Sequence, residues 1–259
     1  MISFPLKSDY HVHCGQYNEA YYQPAYVIRA LHANGIKDVW ISSTTSCISW
    51  QNDEEKAYIL QHVEDEMTEA VVTARRYHIK IVPLYWVLLQ RKQEGESIEK
   101  IMDNSLYKGF KIHPKIGDWS LDDPLIEALM NEVCTYASKH GLPILIHTGV
   151  DEIDSPQKFE CFFDKYKTVK FVLAHCKNVE AVIEMFSKYE NVCGDISFCP
   201  QMCYNRIYNM GFADRLLIGT DFPITHWFSN EIKVSKAPRS ELISNYKKAI
   251  REIEALVNN

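Results

Sequence analysis

The sequence predicts an α/β protein, a single (β/α)8 TIM barrel of parallel strands wrapped by outer helices, and three observations predict it. The chain has 259 residues, close to the roughly 250 typical of one such barrel. Apolar β-type runs alternate with segments of helical period from one end to the other, the pattern of parallel strands joined by crossover helices. Four apolar runs end on metal-capable or proton-transferring side chains: His11 and His13, His147, His175, and Asp221. In a barrel of parallel strands those ends converge on one mouth, where such barrels do their chemistry.

Taken in order, strands are expected near residues 8–13, 37–44, 79–86, 108–113, 143–148, 169–175, 191–197 and 214–220. Between them the helices carry recognisable punctuation. Asn52 or Asp53 starts a long helix whose Leu60, Val63, Met67, Val71 and Ala74 form one apolar stripe. Asp123-Pro124 supplies an N-cap and a first-turn proline, Leu125, Leu129 and Val133 keep helical spacing, and His140-Gly141 ends that helix. The last helix, from about Ser240, places Tyr246, Ile250, Ile253 and Val257 on one face. Three connections are longer or more aromatic than a tight turn needs: Cys14 to Pro24, Trp86 to Ser97, and Phe222 to Ser240. All three fall where mouth loops shape a substrate site. No repeat, low-complexity run or Gly/Ser linker appears, so residues 1–259 read as one domain.

Composition narrows the function classes. The 46% hydrophobic and 24% charged content is that of an ordinary globular protein. With 34 acidic against 28 basic residues the net charge is −6, which argues against a general affinity for nucleic acid. No window approaches the roughly 18 apolar residues of a membrane span, and the first residues lack the apolar stretch of a secretory signal. The eight cysteines are scattered without a disulfide rhythm, and Cys199 and Cys203 lack the third thiol of an iron–sulfur site. Reduced thiols in a soluble cytoplasmic protein are expected.

Side chains at i and i+2 of a strand share a face, roughly 6.5–7 Å apart along it. His11 and His13 can therefore lean toward one ion and bind it at roughly 2.0–2.1 Å. Imidazoles from other strand ends, with the carboxylate of Asp221, suit zinc or a similar divalent ion. Such an ion lowers the pKa of a bound water toward roughly 7 and polarises a carbonyl, and Asp221 is placed to take the water's proton.

At these residues the chain resembles a known family. Asp9-x-His11-x-His13, Gly109-Phe110-Lys111-Ile112-His113-Pro114, Ile146-His147-Thr148-Gly149, Leu173-Ala174-His175-Cys176 and Gly219-Thr220-Asp221-Phe222-Pro223 resemble the amidohydrolase superfamily. The nearer likeness is to its amidohydrolase-related branch of metal-dependent hydrolases and non-oxidative decarboxylases, such as aminocarboxymuconate-semialdehyde decarboxylase. The resemblance implies that His11, His13, His147 and Asp221 are metal ligands, Asp221 also the proton acceptor. It implies that His175 is a catalytic group beside one ion or a ligand of a second. Lys111 has three readings: a carboxylated lysine bridging two ions, an ammonium pairing with a substrate carboxylate, or a buried lysine paired with Asp195. His113 shares its strand face with Lys111, and Arg91 and His226 are candidate substrate contacts. His32, His62, His78 and His140 read as surface or capping residues. The aromatic residues Tyr17, Tyr21, Tyr22, Trp86, Trp119 and Trp227 either line a pocket or pack the loops down.

The expected activity is hydrolysis of a small-molecule ester, lactone or amide with one or two divalent ions, zinc first. Decarboxylation on the same metal site is the alternative, with Lys111 or Arg91 clamping the carboxylate. A polymerase-and-histidinol-phosphatase (PHP) phosphoesterase shares the opening motif but fits Lys111 and the Asp221 segment less well. A TatD-type nuclease would carry a glutamate where Lys111 stands, and a non-catalytic scaffold would have lost a ligand. The expected partner is a small-molecule substrate, with no nucleic acid or membrane; barrels of this kind often pair as homodimers.

Overall fold

The computed structural model describes residues 4–18, 20–103, 105–117, 119–224 and 239–258. They form an α/β structure of parallel strands in two compact units, one of Ile2–Pro83 with Ile218–Asn259 and the other of Leu84–Leu217. Each is built around its own sheet.

The first unit starts with β1 (Ser8–Tyr17), β2 (Ala20–Tyr22), α1 (Pro24–Ala33), β3 (Asp38–Ser43), α2 (Asp53–Arg76) and β4 (Lys80–Pro83). The sheet order is β2-β1-β3-β4, parallel except for β2, which folds back antiparallel on the end of β1. The expected loop after Cys14 is thus partly strand: Gly15 pairs with Tyr22 and Tyr17 with Ala20. Gly15, at φ +91°, makes this possible, because a Cβ there would meet Glu66 Oε2 and Thr45 Oγ1 at 2.6 Å.

Helix α1 opens on Pro24, whose fixed φ and missing N–H suit a first turn. Its Ile28 and Leu31 are fully buried, each contributing about 1.5–3 kcal/mol of transfer free energy. Helix α2 is capped by Asn52, which accepts the Glu55 N–H at 2.9 Å, with Asp53, Glu54 and Glu55 in the first turn. Its inward face is Ile59, Val63, Glu66, Met67, Ala70 and Ala74, and Leu60 and Val71 are only half-buried. The apolar stripe is turned because a charged residue, Glu66, points inward. Its carboxylate accepts from Ser43 Oγ at 2.5 Å and Thr45 Oγ1 at 2.7 Å.

The second unit contains β5 (Tyr85–Trp86), α3 (Leu89–Gln93), α4 (Ile98–Met102), β6 (Phe110–Ile112), α5 (Pro114–Gly117), α6 (Pro124–His140) and β7 (Ile144–His147). It continues with α7 (Glu160–Lys165), β8 (Phe171–Ala174), α8 (Val179–Lys188), β9 (Val192–Asp195), α9 (Gln201–Asn209) and β10 (Leu216–Leu217). Its strands run in the order β10-β9-β8-β7-β6-β5, every neighbouring pair parallel. Phe110, Ile112, Ile144, Ile146, Phe171 and Leu173 have no exposed surface, which accounts for runs of continuous rather than alternating hydrophobicity. In α6, Asp123 accepts the Leu125 N–H at 2.8 Å and Gly141 closes the helix at φ +65°.

The expected strand 79–86 is two strands. β4 pairs with β3 as far as Pro83, which has no N–H to extend that ladder, and β5 pairs instead with β6. The expected strand 214–220 is also divided: Ala213–Arg215 is a 3-10 turn and only Leu216–Leu217 pairs with β9. Residues from Ile218 belong to the first unit, where Tyr10 N–H donates to Ile218 O at 2.8 Å and Val12 bridges Phe222 in parallel. That unit ends with α10 (Arg239–Asn258), which buries Leu242, Tyr246, Ala249, Ile253 and Leu256 and packs on α1. Among the described residues, no helix is long and apolar enough to cross a membrane. No disulfide joins any of the eight cysteines.

Candidate metal centre

In the first unit, His11 and His13 lie on β1. An extra residue sits in that strand between Asp9 and Val12, opposite Val39 and Ile41 of β3. Such bulges re-aim side chains beside active sites, and here the His11 N–H turns to Asp9 Oδ1 at 3.2 Å. The Nε2 atoms of His11 and His13 come within 3.1 Å of each other. Asp221 joins them because its N–H donates to His11 O at 2.8 Å, while His13 N–H donates to Phe222 O at 2.7 Å. Its Oδ1 lies 3.2 Å from His11 Nε2 and 2.9 Å from His13 Nε2.

These three donors, all buried, fit a divalent cation. They form a triangle with sides of 2.9, 3.1 and 3.2 Å, close enough together for all three to hold one such ion. Ser42 Oγ, 2.9 Å from His13 Nδ1, supports the ring from behind. Asp221 holds a left-handed backbone at φ +57°, a conformation that is costly for a residue with a Cβ and typical of functional positions.

Beneath the triad lies Asp9, fully buried. Its carboxylate accepts from Thr220 N–H at 3.0 Å, Thr220 Oγ1 at 2.7 Å and Tyr246 Oη at 2.8 Å as well as from His11 N–H. Burial pushes the Asp9 carboxyl up to about 6, against the lowering effect of these four donors. The network ties β1 to the Thr220–Asp221 segment and to α10. Beside it, burial and the Asp221 charge raise the Tyr17 phenol.

In the second unit, His147 ends β7 and His175 follows β8. His147 Nδ1 lies 3.1 Å from His175 Nε2, and His175 Nδ1 lies 3.0 Å from the Ser197 carbonyl oxygen and 2.9 Å from its Oγ. His175 is also left-handed, at φ +74°. The His113 ring stacks on His147 with centroids 3.7 Å apart, and Trp86 stacks behind His113. His113 Nδ1 accepts the Ile116 N–H at 3.3 Å.

Lys111 is buried, its Nζ 5.8 Å from the centre of the Trp86 ring, and Asp195 is buried and accepts the Ser197 N–H at 2.7 Å. Arg91 is held by Glu96, with its Nε at 2.9 Å, and lies over the Tyr85 ring. Tyr22, Trp86 and Trp119 are buried, whereas Tyr17 and Tyr21 are half-buried. His226 and Trp227 lie outside the described residues.

Sequence reasoning missed Ser42, Ser197 and Asp154. Asp154 stands seven positions beyond His147, in the 3-10 turn Glu152–Asp154, with Oδ2 3.7 Å from His147 Nε2. Burial and neighbouring Asp151 raise its carboxyl, with Lys115 opposing them. Gly149 makes room for it, since a Cβ there would strike the Asp154 carboxylate.

A family model described as Amidohydrolase matches residues 49–228. The matched stretch takes in Lys111, His113, His147, His175 and Asp221 and begins after His11 and His13. No curated protein matches the chain. Among solved structures, 4-oxalomesaconate hydratase from Rhodopseudomonas palustris is 11% identical over 98% of this chain and 98% of its own, with a TM-score of 0.53. A mutant of an organophosphorus hydrolase from Deinococcus radiodurans is 15% identical over 82% of this chain and 75% of its own, at 0.50. N-acetylneuraminate lyase from Mycoplasma synoviae is 12% identical over 97% and 79%, at 0.51. At these identities the likeness is one of fold.

Proposed function

The chain belongs to the amidohydrolase family, and from that premise we propose that it is a metal-dependent hydrolase of an ester, lactone or amide bond in a small molecule. The observation that carries the proposal is the convergence of His11 Nε2, His13 Nε2 and Asp221 Oδ1, all buried and within 4.8 Å of one another. The proposed ligand set follows the sequence resemblance: His11, His13, His147 and Asp221, with His175 either a catalytic group beside one ion or the ligand of a second. With it goes the proposal that residues 1–259 form one closed (β/α)8 barrel domain, cytoplasmic, acting on a small-molecule substrate, with zinc as the first choice of ion.

A bound divalent ion would supply Lewis acidity, lowering the pKa of water and polarising a carbonyl oxygen. The chain's own residues do the rest. Asp221 takes the proton of the attacking water on its carboxylate and returns it to the leaving group. Its backbone bond to His11 and the Asp9–Thr220 network keep that carboxylate fixed, so little reorganisation is needed during the reaction. His175, its Nδ1 beside the Ser197 carbonyl and hydroxyl, has Nε2 as the atom it would offer to an ion.

The test is turnover of a panel of aryl esters, lactones and amides by zinc- and manganese-loaded protein, alongside His11→Ala and Asp221→Asn. The proposal expects hydrolysis by the parent and none by either folded variant. Hydrolysis that persists in both would overturn it. Release of carbon dioxide from carboxylated substrates, without hydrolysis, would favour the decarboxylase alternative.

A further inference from the structure

The Asp154 carboxylate has a buried oxygen, Oδ1, with no hydrogen-bond partner among the described residues, while its Oδ2 faces His147 Nε2 at 3.7 Å. Buried polar groups left unpaired in a native fold call for a reason. The local chain is built to bring this carboxylate in. Gly149 N–H donates to Asp154 O at 3.0 Å and Asp154 N–H to Asp151 O at 3.3 Å, closing the turn on itself. Lys115 fastens the turn through Asp151 at 2.5 Å. The missing side chain of Gly149 leaves the space the carboxylate occupies: a Cβ there would lie 2.5 Å from Oδ2 and 2.8 Å from Oδ1.

The protons of the two histidines follow from their outer partners. The Ser197 carbonyl can only accept, so the neighbouring His175 Nδ1 carries the proton and its Nε2 carries a lone pair. Two positions of the His147 proton bear on this pair. A proton on Nδ1 would point at His175 Nε2, 3.1 Å away, and a proton on Nε2 would point toward Asp154. At 3.7 Å the carboxylate is beyond hydrogen-bond range, but it is buried beside a half-buried ring, and its charge favours the N–H end of that ring toward it.

We propose that Asp154 is a positioning residue that sets the orientation and tautomer of His147, so that His147 Nδ1 and His175 Nε2 present two lone pairs to one divalent cation. The inference rests on the reading of His147 and His175 as metal ligands. Two lone pairs facing each other at 3.1 Å would repel, and a cation held by both would remove that repulsion. Asp154 and the Ser197 carbonyl, at the outer ends, together prepare the pair for one. A carboxylate behind a ligating histidine also raises its basicity and adds negative charge near the ion. The stacked His113 ring limits how far His147 can tilt in response.

The experiment measures zinc affinity by competition with a chromophoric chelator, and cobalt binding by absorption, for the parent, Asp154→Asn, Asp154→Ala, His147→Ala and His175→Ala. Histidine 15N spectra of the metal-free parent and the Asp154 variants report the tautomer. The expected result is a loss of about tenfold to a hundredfold in zinc affinity for Asp154→Ala, with a smaller loss for the near-isosteric Asp154→Asn. The His147 proton is expected on Nε2 in the parent and on Nδ1 in Asp154→Ala. Parent-like affinity and tautomer in both Asp154 variants, with weakened binding in His147→Ala, would overturn the positioning role and leave the ligand reading standing. Unchanged zinc affinity in both His147→Ala and His175→Ala would overturn the ligand reading and this inference with it.

Discussion

Replacing Gly149 with alanine puts a methyl group where the Asp154 carboxylate now lies. The added carbon would meet Oδ2 at 2.5 Å and Cγ and Oδ1 at 2.8 Å, all well inside van der Waals contact. Gly149 has no left-handed backbone, so the cost of Gly149→Ala is that clash and not strain in φ. Overpacking of this kind costs about 1–3 kcal/mol, which for a chain of this length lowers Tm by about 2–12 °C. The structure makes a sharper claim through the pair. In an Asp154→Ala background the obstructing carboxylate is gone, so the same methyl group should cost little, and the coupling in the double-mutant cycle should recover most of the single-mutant loss. Urea unfolding of the four proteins, followed by circular dichroism, measures this directly. Equal costs of Gly149→Ala in both backgrounds would refute the placement of Asp154 against Gly149.

Three further outcomes follow from the same geometry. Asp9 has a folded-state pKa of about 6, above the roughly 3.9 of an unfolded carboxyl, so the fold binds this proton more tightly. Its contribution of roughly 3 kcal/mol is full below about pH 4, is lost as pH rises toward 6, and is flat beyond. Urea titrations of metal-free protein should show that Asp9→Asn removes this part of the pH dependence; an unchanged profile would contradict it. Tyr246→Phe removes the phenol that donates to Asp9 Oδ2 at 2.8 Å, a bond to a buried charge whose loss should cost about 1.5–3 kcal/mol. An unfolding free energy equal to the parent's would count against that network. Zinc at about a hundred times its Kd should stabilise the parent by about 2.7 kcal/mol, and His13→Ala should lose most of that gain in thermal melts. Equal stabilisation of the variant would place the ion elsewhere.

Much of this arrangement was legible in the chain because its signals are local. The Asn52 and Asp123 caps, Pro124 and Gly141 fix helix ends through backbone chemistry that a few residues determine. The apolar runs ending at His147 and His175 lie where strands end because parallel strands bury both faces up to that point. What stayed hidden depends on neighbours remote in sequence. The stripe of α2 is turned by Glu66, whose inward position is stable only because Ser43 and Thr45 meet it. The bulge between Asp9 and Val12 follows from pairing with β3 and carries no mark in the residues themselves. The hand-over at Pro83 could have been read, since a proline cannot extend a ladder. Asp154 reaches His147 only through the shape of the turn after β7, and a lone carboxylate seven residues from a histidine is an ordinary sight in any sequence.

On the proposed reading, His11, His13 and Asp221 hold a divalent ion. Anomalous scattering at the zinc edge, from crystals of protein purified without chelator and soaked in zinc, tests it most directly. The expected result is a peak bonded to His11 Nε2, His13 Nε2 and the Asp221 carboxylate at about 2.0–2.2 Å. No peak at those three atoms, at full zinc loading, would contradict it.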